Sequence, residues 1–111
     1  DVGELSGLTV EEIDASFPGW RERMDERGFA WERGEPVEHM SGRVLDALAR
    51  IGRTHGGERV LVVAHGGTVR AALAAADGLD IVTHRRLWPG PAANCALFAL
   101  AVEHGAVRRL D

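Results

Sequence analysis

The chain has 111 residues, 45% of them hydrophobic and 27% charged, with 13 basic and 17 acidic side chains and a net charge of −4. That length suits one domain at most, and the lack of a basic run or a membrane-length apolar run argues against nucleic-acid and membrane partners. All 13 basic residues are Arg, as in GC-rich bacterial genomes, and Cys95 is the single cysteine, which rules out an internal disulfide and favours a cytoplasmic setting.

Thr9-Val10-Glu11-Glu12 fits a capping box that opens a short helix, and this helix should stop before Pro18. Trp20 to Arg27 alternates charges in a helical rhythm and ends at Gly28, and the segment from Gly28 to Gly34 reads as a loop. Pro36 suits the first position of a longer helix. Its apolar residues Val37, Met40, Val44, Leu48 and Ile51 follow the 3–4 spacing of a one-sided amphipathic helix that Gly56 and Gly57 close.

Val60 to Ala64 is an unbroken apolar run rich in β-branched residues, as expected of a strand covered on both faces. It delivers His65 to a Gly66-Gly67 turn. A helix is predicted from Thr68 to Asp77, with Gly78 as its C-terminal stop. Ile81 to Trp88 holds a short helical turn before the Pro89-Gly90-Pro91 break. Cys95 to Val102 reads as a second apolar strand, and His104-Gly105 as a hairpin turn into Ala106 to Leu110. The order helix, strand, helix, strand, strand is α/β.

A helix N-terminus at the carboxyl end of a strand gathers unpaired N–H groups and partial positive charge, which suits phosphate. The plainer reading is that His65 merely ends a core strand. Among the other polar candidates, Arg70 reads as a first-turn surface residue and Cys95 as a buried, inert thiol. Trp20, Trp31 and Trp88 read as packing or as walls of a substrate cap. His39, His55, His84 and His104 lack a compact ligand spacing, so no metal site is expected.

The run Val60 to Arg70 resembles the second-histidine motif of the histidine phosphatase superfamily, the phosphoglycerate mutase-like group. Three further stretches follow in matching order. Gly3-Glu4-Leu5-Ser6-Gly7-Leu8-Thr9 resembles a segment that usually reads Gly-Asp-Trp-Glu-Gly-Leu-Thr. Gly34-Glu35-Pro36, followed by Arg43-Val44, resembles a Gly-Glu-Ser turn and its helix, with Pro36 in place of the serine. Pro91-Ala92-Ala93-Asn94-Cys95-Ala96 resembles the loop that enters the last core strand.

The resemblance implies a three-layer α/β/α fold, incomplete in this chain, because no Arg-His-Gly occurs in it. That motif carries the nucleophilic histidine of the family. Residues 1–111 are therefore expected to be the C-terminal portion of a single histidine phosphatase domain. A sheet short of a central strand should expose apolar surface and unpaired backbone.

The same resemblance implies roles. The absent histidine attacks phosphorus, His65 donates a hydrogen bond to a phosphoryl oxygen, and Gly66 and Gly67 offer backbone N–H groups. No metal or other cofactor is required. Glu35 matches a residue at the substrate entrance, with a solvated loop acid or helix cap as the alternative. Asn94 places an amide near the phosphate or caps its loop, and Arg43 reads as a structural ion-pair residue.

Three functions are compatible with this. The first is a phosphomonoesterase acting on a small phosphorylated metabolite, favoured because the Trp31–Pro36 loop carries only Arg33 to grip a second anion. The second is a phosphoglycerate mutase. The third is a non-catalytic phosphate-binding or interaction module. Homo-oligomerisation is open.

Overall fold

The computed structural model describes residues 1–110. A 3₁₀ turn over Gly3–Leu5 is followed by α1 (Val10–Ser16), α2 (Trp20–Met24), α3 (Val37–Thr54), α4 (Gly66–Ala76) and α5 (Ile81–Leu87). A hairpin of β1 (Leu100–Glu103) and β2 (Ala106–Arg109) closes the chain. The fold is α/β.

The capping box forms as expected. The Thr9 hydroxyl accepts from the Glu12 N–H at 3.2 Å, and the Glu12 carboxylate accepts from the Thr9 N–H at 2.8 Å. This turns Ile13 inward onto Leu5 and Trp31, where Phe17, Trp20, Met24 and Phe29 complete a small aromatic core. Phe17 and Phe29 meet the Trp31 ring edge-on, with centroids 5.4 and 4.9 Å away. The Gly3 backbone makes this packing possible. Its φ is +51°, and a Cβ there would lie 2.0 Å from the Glu32 carbonyl, so only glycine fits.

The second core gathers Ala71 and Ala74 of α4 with Ile81 and Val82 of α5 under Val37, Met40 and Val44 of α3. Alanines let α4 approach its neighbours closely, and the amphipathic stripe of α3 covers them. Arg27 and Arg85 tie the two cores together. Arg27 reaches Asp80 at 2.7 and 3.2 Å, and Arg85 reaches the Met24 carbonyl at 3.0 Å and Asp25 at 3.2 Å.

Several boundaries differ from expectation. Pro36 is the N-cap of α3 rather than its first helical residue, and α3 ends at Thr54, before the two glycines. The helix predicted from Trp20 to Arg27 stops at Met24, and turns carry the rest.

The larger difference lies in the sheet. Among the described residues its only ladder is the antiparallel β1–β2 pair, in register from Leu100 opposite Arg109 to Glu103 opposite Ala106. Among the described residues the predicted strand Val60–Ala64 has no ladder partner, and residues 95–99 lead into β1 outside the ladder, with the Ala99 carbonyl accepting from the Leu110 N–H at 3.1 Å. Leu61, Val63 and Leu97 are 74%, 88% and 81% exposed. Strand character is completed by a neighbour's hydrogen bonds, and among the described residues the Val60–Ala64 run forms no ladder. Between them, α3 and α4 floor an apolar groove of about 310 Å³. Among the described residues, no helix is long and apolar enough to cross a membrane.

Candidate active site

The candidate site is built on the start of α4. His65 is exposed and extended (φ −71°, ψ 156°) as the N-cap, and its carbonyl accepts from the Val69 N–H at 3.1 Å. The helix begins at Gly66, two residues before the expected Thr68. Gly66 and Gly67 are therefore first-turn residues, whose N–H groups have no acceptor one turn earlier in the helix. No acidic side chain occupies this first turn, so the positive end of the helix dipole stands uncancelled beside the imidazole.

Two other segments close on this turn. A Cβ on Gly66 would lie 4.0 Å from the Ala92 amide nitrogen, and one on Gly67 would lie 3.9 Å from the Met40 methyl group. The turn thus sits between α3 and the loop that runs from Pro89 to Asn94. Asn94 itself is exposed, on a turn closed by the Ala96 N–H donating to the Ala93 carbonyl at 3.1 Å.

Glu35 is more constrained than a solvated loop acid. Its side chain is only 15% exposed. Arg43 Nε donates to Oε2 at 3.1 Å, a second Arg43 nitrogen pairs with Oε1, and His39 Nδ1 lies 2.7 Å from Oε2. The Arg43 hydrogen bond, then that of His39, holds the Glu35 carboxyl far below the usual carboxylate range. Arg43 is thus the ion-pair residue expected of it.

Two expectations fail. Cys95 is exposed, not buried, because it sits at φ +60° in the turn before the strand. Arg70 is not a surface side chain. It is half-buried, and its guanidinium donates to the Trp88 carbonyl at 2.7 Å and also to the Gly90 carbonyl. Of the tryptophans, Trp31 is buried in the aromatic core and Trp20 donates to Asp14 at 2.7 Å. Trp88 is half exposed, its ring 4.9 Å from that of His84.

The family model of the histidine phosphatase superfamily (branch 1) matches residues 1–110. The chain belongs to this superfamily. It is 37% identical over 86 residues to a 2,3-bisphosphoglycerate-dependent phosphoglycerate mutase of Methylobacterium radiotolerans, covering 71% of this chain and 39% of that protein. A metal-independent phosphoserine phosphatase of Arabidopsis thaliana is 50% identical over 38 residues, 34% of this chain and 16% of that protein. An uncharacterised phosphatase of Bacillus subtilis, PhoE, is 26% identical over 80 residues, 72% of this chain and 37% of its own length. The chain thus spans about two fifths of the curated mutase it matches.

The sequence marks His84 only as lacking a compact ligand spacing, and the structure gives it a buried polar setting. His84 is 4% exposed. Its Nδ1 faces Arg70 at 3.4 Å, and its Nε2 lies 3.3 Å from Asp77, which Arg109 grips at 2.6 and 2.8 Å. Burial, then the Arg70 charge, pushes the His84 pKa below its ordinary value. One signal was present. Arg70 is the lone charge in a helix otherwise made of glycine, alanine, threonine and aliphatic residues, and a helix apolar on all sides is a buried one.

Proposed function

We propose that the intact protein carrying this chain is a phosphomonoesterase of the histidine phosphatase type, acting on a small phosphorylated metabolite. These residues form the C-terminal portion of its domain, and the nucleophilic histidine is supplied by polypeptide outside them. That histidine attacks phosphorus, the P–O bond to the substrate alcohol breaks, and the alcohol leaves with a proton. Water then attacks the phosphohistidine, releasing inorganic phosphate and restoring the imidazole.

One observation carries this reading. An exposed histidine caps a glycine-initiated, acid-free helix N-terminus, where N–H groups and the helix dipole converge. Transferred phosphoryl groups carry charge on their equatorial oxygens, so fixed donors lower the barrier more than they tighten binding. In this scheme His65 donates to one phosphoryl oxygen and the Gly66 and Gly67 N–H groups to another. Glu35 and Asn94 bear on the substrate entrance, Glu35 through the charge arrangement it sets with Arg43. The chemistry needs no metal, and a cytoplasmic setting is the one the single cysteine favours.

A mutase reading is favoured by the bisphosphoglycerate-dependent mutase among the relatives. Against it, the Trp31–Pro36 loop offers only Arg33 for a second anionic group.

The test is His65→Ala in the intact protein, assayed on phosphomonoesters. Turnover should fall by about a hundredfold or more, since one such donor is worth roughly 3 kcal/mol. Near-normal turnover would remove His65 from the mechanism. Transfer of the phosphoryl group to a second hydroxyl, without free phosphate, would favour the mutase. Phosphate binding without turnover in the unmutated protein would leave a binding module.

A further inference from the structure

Arg70 lies on α4 five residues after His65, and it points away from solvent towards the end of α5. Its two terminal nitrogens donate to the Trp88 and Gly90 carbonyls, and one of them also faces His84 Nδ1 at 3.4 Å. Arginine can only donate, so in this contact His84 Nδ1 is the acceptor. The fork thus spans a loop that has few means of holding itself, because Pro89 and Pro91 bring no N–H. Two residues beyond Gly90, the Ala92 amide nitrogen stands beside Gly66.

A half-buried charge set against neutral acceptors is a costly way to gain stability alone. Its geometry matters more. The planar fork engages two carbonyls at once, which fixes the loop in both distance and angle. Behind the fork, His84, Asp77 and Arg109 extend the contact to β2. With Leu73, Trp88 and Phe98, the side chains of Arg70, His84 and Arg109 wall a cavity of about 330 Å³ under the loop. The anchor therefore stands on two helices and the hairpin.

We propose that Arg70 is a positioning residue for the phosphoryl site. It locks the Trp88–Ala92 loop against the Gly66 turn, so that the donors at the start of α4 face a fixed wall. It acts through the loop and touches no substrate. Its effect on turnover rests on the phosphatase reading above, whereas its effect on the loop does not.

The experiment compares Arg70→Met and Arg70→Lys with the unmutated intact protein, by p-nitrophenyl phosphate kinetics and by amide hydrogen exchange with and without inorganic phosphate. In Arg70→Met, kcat should fall roughly ten- to hundredfold, because small misplacements of a site are that costly. KM should stay within about twofold. Exchange should rise in residues 90–95 while α3 and α4 remain protected. Lys reaches one carbonyl instead of two, so Arg70→Lys should recover part of both properties. Unchanged kcat with unchanged loop exchange would overturn the proposal. So would exchange rising equally across α3, α4 and the loop in both variants, which would make Arg70 an ordinary fold residue. If the unmutated protein turns over no phosphomonoester, the phosphatase reading fails alone, and exchange in residues 90–95 still decides the role of Arg70.

Discussion

Arg27 holds Asp80 through both terminal nitrogens, at 2.7 and 3.2 Å, while the same carboxylate accepts from the Thr83 N–H at 3.0 Å and the Thr83 hydroxyl at 2.7 Å. One side chain thus caps α5 and joins the aromatic N-terminal core to the helical one. The Arg27 hydrogen bond, then the two from Thr83, holds its carboxyl well below the ordinary carboxylate range.

These two duties are separable. Asn still caps a helix but carries no charge. Asp80→Asn should therefore lower the melting temperature about as much as Arg27→Ala does, and Asp80→Ala should lower it more than either. Thermal melts of the three variants check this. Equal losses in Asp80→Asn and Asp80→Ala would show that the cap contributes nothing.

His84 makes stability depend on pH. Its ordinary value is 6.5, and burial followed by the Arg70 charge lowers it in the folded protein. The unfolded chain therefore takes up the proton first. The contribution of neutral His84 is complete above about pH 6.5 and is lost as pH falls towards the lowered value. Asp77 is lowered from 3.8, mainly by its Arg109 hydrogen bonds, so its contribution is lost further down, below about pH 4. Melting temperatures between pH 8 and 3 should fall in two stages. His84→Gln should flatten the first stage and leave the second. A first stage that persists unchanged in His84→Gln would assign it to another histidine.

What was legible in the sequence is what local chemistry decides. The Thr9–Glu12 capping box needs only residues three apart, and the stripe from Val37 to Ile51 needs only the helical period. Both appear where expected. The start of α4 shifted by two residues because His65 takes the extended cap conformation and both glycines enter the helix. The strand at Val60–Ala64 failed as a ladder for a non-local reason. β-Branched residues favour an extended backbone, but the hydrogen bonds that make a strand belong to a neighbour. Arg70 was misplaced for a similar reason, since its acceptors lie 18 and 20 residues away.

The unpaired strand leads to the last expectation. Leu61, Val63 and Leu97 stand exposed beside an apolar groove, and among the described residues the Val60–Ala64 backbone pairs in no ladder. Large contiguous apolar patches are rare on monomers, and unpaired edges recruit other chains. Residues 1–111 expressed alone should therefore associate as concentration rises, bind a hydrophobic dye and melt broadly. Leu61→Lys and Leu97→Lys place charges on both sides of the groove, so together they should reduce association and dye binding without restoring cooperativity. Sedimentation and dye fluorescence over a concentration series measure this directly. A sharp, concentration-independent melt of a monomer would mean that the groove is closed in solution by the chain itself, and that the sheet needs no further strand.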